Sequence, residues 1–204
     1  MSLVRTILAI SALVIATGCS SFTLLSRERL LNFDFDGTTV KISSDTTNSV
    51  VELKPYLDAR GDYEYRIFFV NRRENTFYAL LNVSGKSQAD EAGSCAKGLE
   101  RNIVWLKLDS SLQPLEVKSV LVESCLKNID SHDWCTFSEN RLTANYVSSS
   151  VTGDAGQIKM KQMQSSLSYD NDRPGAGFTV ETHELKREDA SESKKGTATE
   201  TIGL

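Results

Sequence analysis

The sequence predicts an all-β, mostly antiparallel single domain of about ten strands, built as a sandwich or a barrel. Three observations lead there. Segments such as "TTVKIS", "YEYRIFFVN", "TFYALLNVS", "NIVWLKLD" and "FTVETHEL" alternate in polarity or run apolar for a few residues, and they are rich in Val, Ile, Tyr, Phe and Thr. Gly, Asn, Asp or Ser stand at the breaks between them. No segment of 12 or more residues carries a helical apolar stripe.

The first element is not part of that domain. "MSLVRTILAISALVIATGCSS" has a basic start at Arg5, an apolar run of 11 residues from Thr6 to Ala16, and small residues up to Cys19. That is the layout of an export signal over residues 1–18. Eleven apolar residues fall short of the roughly 18 needed to span a bilayer as a helix. "ATGC", Ala16 to Cys19, resembles the lipobox of bacterial lipoproteins. The resemblance implies lipidation of Cys19, with palmitate among the acyl groups. Each buried methylene contributes about 0.8 kcal/mol, so three chains anchor a protein where one holds only marginally. Ser20, in place of an aspartate, implies sorting to the outer membrane, with the body facing the periplasm. The competing reading is an ordinary secretory signal cut near Cys19. Residues 19–30 form a short tether: "SSFTLLSRER" reaches at most roughly 35 Å when extended, which keeps the body near the membrane.

Strands are expected at 31–35, 38–43, 49–54, 63–71, 75–83, 99–108, 114–125, 141–149, 157–168 and 176–185, within a domain spanning 31–185. The first two form a hairpin in "NFDFDGTTV". With Asp36-Gly37 as a two-residue turn, Phe35 faces Thr38, Phe33 faces Val40 and Leu31 faces Ile42, which gives one apolar face and one polar face. The same nine residues resemble the first motif of haloacid dehalogenase-like phosphohydrolases. That resemblance implies Asp34 as nucleophile, Asp36 as acid/base and a magnesium ion, on a parallel strand followed by a helix. Asp170 and Asp172 would supply the acidic pair, and Lys159 or Lys161 the cation. The α/β alternation such a fold needs is missing from the sequence. A non-enzymatic module is therefore the main expectation and the phosphohydrolase the alternative.

Beyond Cys19, the cysteines are Cys95, Cys125 and Cys135. The stretch between Cys95 and Cys125 reads as two long strands joined near Asp109 to Gln113, and folding that hairpin brings the two sulfurs together at its open end. Cys125 and Cys135 also bracket a turn, so that pairing stays open. The longer loop is preferred because closing it constrains the unfolded chain more, by about 3 to 4 kcal/mol. Cys135 is then free, buried or intermolecular. His132 and Cys135 in "HDWC" could ligate zinc, but no CxxC spacing supports a metal site, and no cofactor is expected.

Other motifs have bland readings. "SGKS", Ser84 to Ser87, lacks the first glycine of a phosphate-binding loop and reads as a surface turn. His183 lies in an alternating strand, Met160 and Met163 point to opposite faces of another, and Trp105 and Trp134 suit the core or its edge. Gly98 and Gly175 are placed in turns. Taking Arg5 from the 23 basic residues leaves 22 against 27 acidic ones, a net charge of -5 with neutral histidines. No basic stripe with interleaved aromatics appears, which argues against nucleic acid as a partner. Residues 186–204, "REDASESKKGTATETIGL" with Lys186, are charged and small, the composition of a disordered tail. "GLERNIVWLKLD", "ESC" and "SYDNDRPGAGF" resemble segments of uncharacterised envelope proteins from Gram-negative bacteria, a likeness that brings no activity with it; the partners expected are the membrane, through the lipid, and another envelope protein.

Overall fold

The computed structural model describes residues 30–87, 95, 98–131, 135–152 and 159–185. Among them are twelve strands: β1 (Asn32–Asp36), β2 (Thr39–Ser43), β3 (Asn48–Glu52), β4 (Glu64–Arg73), β5 (Thr76–Lys86), β6 (Leu99–Leu108), β7 (Pro114–Ser124), β8 (Ile129–Asp130), β9 (Thr136–Ser138), β10 (Arg141–Thr152), β11 (Lys159–Asp170) and β12 (Phe178–Glu184). Two single 3-10 turns, Lys54–Tyr56 and Pro174–Ala176, complete the list. The all-β antiparallel expectation holds. β8 and β9, with two and three residues, are too short to carry an alternation and were not expected.

β1, β2 and β3 make a small antiparallel sheet. The rest form one nine-stranded antiparallel sheet in the order β12-β11-β10-β8-β7-β6-β5-β4, with β9 paired to β10. The large sheet ends in two separate edges, β4 and β12, so it is not closed into a barrel and the stacked arrangement is the one adopted.

β5 and β6 lie in the middle of the stack, and this explains their near-continuous apolar text. Phe77, Ala79, Leu81 and Val83 of β5, with Val104, Leu106 and Leu108 of β6, point into a core shared with Val40, Ile42 and Val51 of the small sheet. The intervening Tyr78 and Leu80, with Ile103 and Trp105, point the other way, into a core shared with Leu142, Ala144, Tyr146, Leu167 and Tyr169 of β10 and β11. A strand buried on both faces cannot alternate in polarity. Outer strands do alternate: in β2 the apolar Val40 and Ile42 are buried and Lys41 between them is exposed.

Two irregularities tune the layers. The register of β4 against β5 shifts between Ile67 and Phe69, and the extra residue lets the neighbours Phe68 and Phe69 both enter the second core. A shift between Arg101 and Asn102 against β7 does the same for Val122, which is fully buried.

The first hairpin forms, with a corrected turn. Phe33 pairs with Ile42, Phe35 with Val40 and Asp36 with Thr39, so the two-residue turn is Gly37-Thr38 and not Asp36-Gly37. Gly37 has φ of +57°, which suits the first central position of a type II′ turn. Moving the partner by two residues leaves every side chain on its original face, so the alternation alone could not separate the two registers.

Candidate functional site

Cys95 and Cys125 are joined by a disulfide, with Cα atoms 5.7 Å apart. The sulfurs meet where β6 begins and β7 ends, the open end of the expected hairpin. Gly98 is what makes room: a Cβ there would sit 2.5 Å from Cys125 Cβ and 3.0 Å from its Sγ. Its N–H donates to the Cys95 carbonyl at 2.8 Å, so the turn role expected for it is joined by a steric one. Cys135 is buried.

Near the same end of the molecule lies an open cleft of about 300 Å³, lined by Pro55, Tyr56, Leu57, Asp58, Asn102, Ser119 and Leu121. Pro55 sets the 3-10 turn that carries the chain from β3 across β7. Asn102, buried to 2% exposure, anchors that segment. Its Oδ1 accepts the Asp58 backbone N–H at 3.2 Å, and its Nδ2 donates to Asp58 Oδ2 at 3.1 Å and to Ser119 Oγ at 3.2 Å. Lys127 Nζ donates to Asp58 Oδ1 at 2.7 Å. Burial pushes the Asp58 carboxyl up, but Lys127 and the Asn102 amide outweigh it and hold the group below its ordinary value. Both carboxylate oxygens are thus engaged with donors and ionised at neutral pH. Ser119 accepts from Asn102, and among the described hydrogen bonds no base takes its proton. The constellation can hold a polar group at its rim; it does not activate a nucleophile.

A second polar constellation surrounds "YDNDRPGAG". Asp170 Oδ1 accepts the Asp172 N–H at 2.9 Å and Oδ2 accepts Arg173 Nε at 3.2 Å. The Asp172 N–H is the main reason the Asp170 carboxyl lies below its usual range, with Arg173 and Arg141 adding to it against burial. Asn71 Nδ2 donates to the Asn171 carbonyl at 2.8 Å, Arg73 Nη2 to the Asp172 carbonyl at 3.1 Å, and the buried Trp105 Nε1 to the Pro174 carbonyl at 3.1 Å. Gly177, at φ of +71°, lies against the Trp105 ring, and Lys118 Nζ is 5.0 Å from the ring centre. The loop is a strap that fastens β11 to the edge of the central layer.

The residues nominated for phosphoryl transfer are not brought together in a cleft. Asp34 is exposed in an antiparallel hairpin and faces Lys41 at 3.8 Å; Asp36 pairs with Thr39 beside the turn. Asp170 and Asp172 are committed to the strap, and Lys161 pairs with Glu184 at 3.2 Å. Lys159 lies in β11. The parallel strand and following helix that the motif requires are replaced by antiparallel strands. Among the described residues, no group of three His, Cys, Asp or Glu side chains could hold a metal ion.

"SGKS" is not a surface turn: Ser84 and Ser87 are buried, the strand β5 runs through Lys86, and Ser87 Oγ donates to the buried Glu100 at 2.5 Å. Trp105 is core, as expected, and Met160 is 60% exposed. His183 is exposed on β12 opposite Gln164. Cys19, His132, Trp134 and the tail 186–204 lie outside the described residues. Asn102 and Glu100 were missed because a lone polar residue in an apolar strand looks like a simple break in the pattern; "ERN" before "IVWLKL" is the one local signal of polar groups facing a core.

Comparison of the chain with protein-family models, curated protein sequences and solved structures returns no match.

Proposed function

We propose that this chain is a lipoprotein of the bacterial outer membrane, acylated at Cys19, whose rigid β body faces the periplasm and acts as a non-enzymatic binding or assembly module for another envelope component. The signal layout ending in "ATGC" carries the reading. The Cys95–Cys125 bond supports export, because disulfides persist in oxidising compartments and are rare in the cytosol. A binding role is supported by the way the polar clusters around Asp58 and Asp170 are spent on internal hydrogen bonds and ion pairs. Such clusters stiffen a surface and leave no side chain poised for chemistry.

The test lies in the fate of one sulfur. The chain has four cysteines; with Cys95 and Cys125 joined to each other, Cys19 is the remaining in-chain partner for Cys135. One sulfur cannot hold a lipid thioether and a disulfide together. Labelled palmitate is expected on the wild type and not on Cys19→Ala, with a triacylated N-terminal peptide in the mass spectrum. A Cys19–Cys135 peptide in the exported protein would instead establish the ordinary secretory signal. Cross-linking in intact envelopes followed by pull-down identifies the component bound.

A further inference from the structure

We infer that β12 is a self-complementary docking edge, on which a second copy of this chain adds its own β12 in antiparallel register. Among the described residues, β1, β3, β4, β9 and β12 each pair on one side only, and β9 has just three residues. β1 and β3 have five residues each, and β4 is kinked by the bulge at Phe68 and carries Arg66, Arg72 and Arg73. Bulges, short length, Pro and charged side chains, Lys above all, are the devices that blunt an edge against pairing. Of these β12 carries only two carboxylates, Glu181 and Glu184, and Glu184 is paired with Lys161. It is seven residues long, contains no Pro or Lys, pairs with β11 without a register break, and is exposed at every position from Thr179 to Glu184.

The backbone shows which groups are on offer. Leu185 N–H donates to the Gln162 carbonyl at 2.9 Å, so 185 and, by alternation, 183, 181 and 179 turn their backbone groups toward β11. Val180, Thr182 and Glu184 therefore turn theirs outward. A second β12 related by a two-fold axis can meet them in several registers. Centring on Glu181 sets that carboxylate against its own copy. Centring on Val180 sets it against Thr179. Centring on Thr182 sets Glu181 of each copy against His183 of the other, in the non-hydrogen-bonded pairs where Cα atoms approach to about 4.5 Å and side chains lie closest. An imidazole N–H then donates to a carboxylate twice, once on each side of the axis. Among the described residues, β11 faces His183 with Gln164 and Glu181 with Ser166, both uncharged. This register is the one the side chains select, and the paired edges join two large sheets into one.

Sedimentation of the chain as the cell exports it, in detergent and over a concentration series, is expected to show a monomer–dimer equilibrium. Thr182→Pro removes an outward N–H and no β11 bond, and His183→Glu sets carboxylate against carboxylate. Each is expected to weaken the dimer by about tenfold or more, with the strand signal in circular dichroism unchanged. Combining Glu181→His with His183→Glu restores the pairs and is expected to restore the dimer. A wild type that stays monomeric throughout, or a dimer that Thr182→Pro and His183→Glu leave intact, overturns the inference. So does a monomer whose β12 amides are protected from exchange only in whole envelopes, which would assign the edge to a different protein.

Discussion

Removing the Cys95–Cys125 bond, by Cys95→Ser with Cys125→Ser, is the perturbation whose size can be worked most directly. The bond closes a loop with a sequence separation of 30. In the chain-entropy account this lowers the freedom of the unfolded chain by about 3 to 4 kcal/mol at 25 °C. For a domain of this length, each kcal/mol moves the melting point by roughly 2 to 4 °C, so a fall of roughly 6 to 16 °C is expected. The native contacts of β6 and β7 stay in place, because Ile103, Val104, Trp105 and Leu106 hold the pair by burial on both faces. Urea unfolding followed by tryptophan fluorescence should therefore show a cooperative transition at lower urea, with a somewhat larger dependence on denaturant as the unlinked chain exposes more surface. A loss below about 1 kcal/mol would refute the reasoning, since it would mean that the unfolded chain is held together at that end by something other than the bond.

Four further outcomes follow from the structure. Asn102→Ala leaves the half-buried Asp58 N–H without its acceptor and should cost about 1 to 3 kcal/mol in urea unfolding. Asp58 sits below its ordinary value when folded, so its contribution is present above the unfolded value and lost as pH falls through the folded one; Lys127→Ala should flatten that acid limb in melts recorded against pH. Trp105→Phe deletes the donor to Pro174 and part of a fully buried ring, and should destabilise by about 2 to 4 kcal/mol while loosening the 171–177 strap in amide exchange. Asp34→Asn breaks only an exposed ion pair at 3.8 Å and should leave the unfolding midpoint within error; magnesium-dependent release of phosphate from an aryl phosphate that this substitution abolishes would revive the enzyme reading.

Ten of the strands were legible because each carries either a period of two or a run of β-branched and aromatic residues bounded by turn formers, and both signals are local. The Cys95–Cys125 pairing was legible for a related reason: a hairpin centred near Asp109 equates the two chain distances, and the turn is there, with Asp109 Oδ1 accepting the Ser111 and Gln113 N–H groups. The turn of the first hairpin was not legible, since registers two residues apart present the same faces. Nor was the cleft, whose walls come from Pro55–Asp58 and from Asn102, Ser119 and Leu121, segments distant in the chain.

By itself the amino-acid order determined the strand-rich class and the polarity of each face, because both are written in residues that are neighbours along the chain. Tertiary structure decided that the large sheet stays open, that β5 and β6 lie between two cores, and that Asn102 clasps Asp58 while Asp34 stands alone with Lys41 at the surface. The physical reason is that a side chain's role depends on which face of which layer it meets. That is settled by pairing between strands far apart in the chain, and the alternation along any one strand is blind to it.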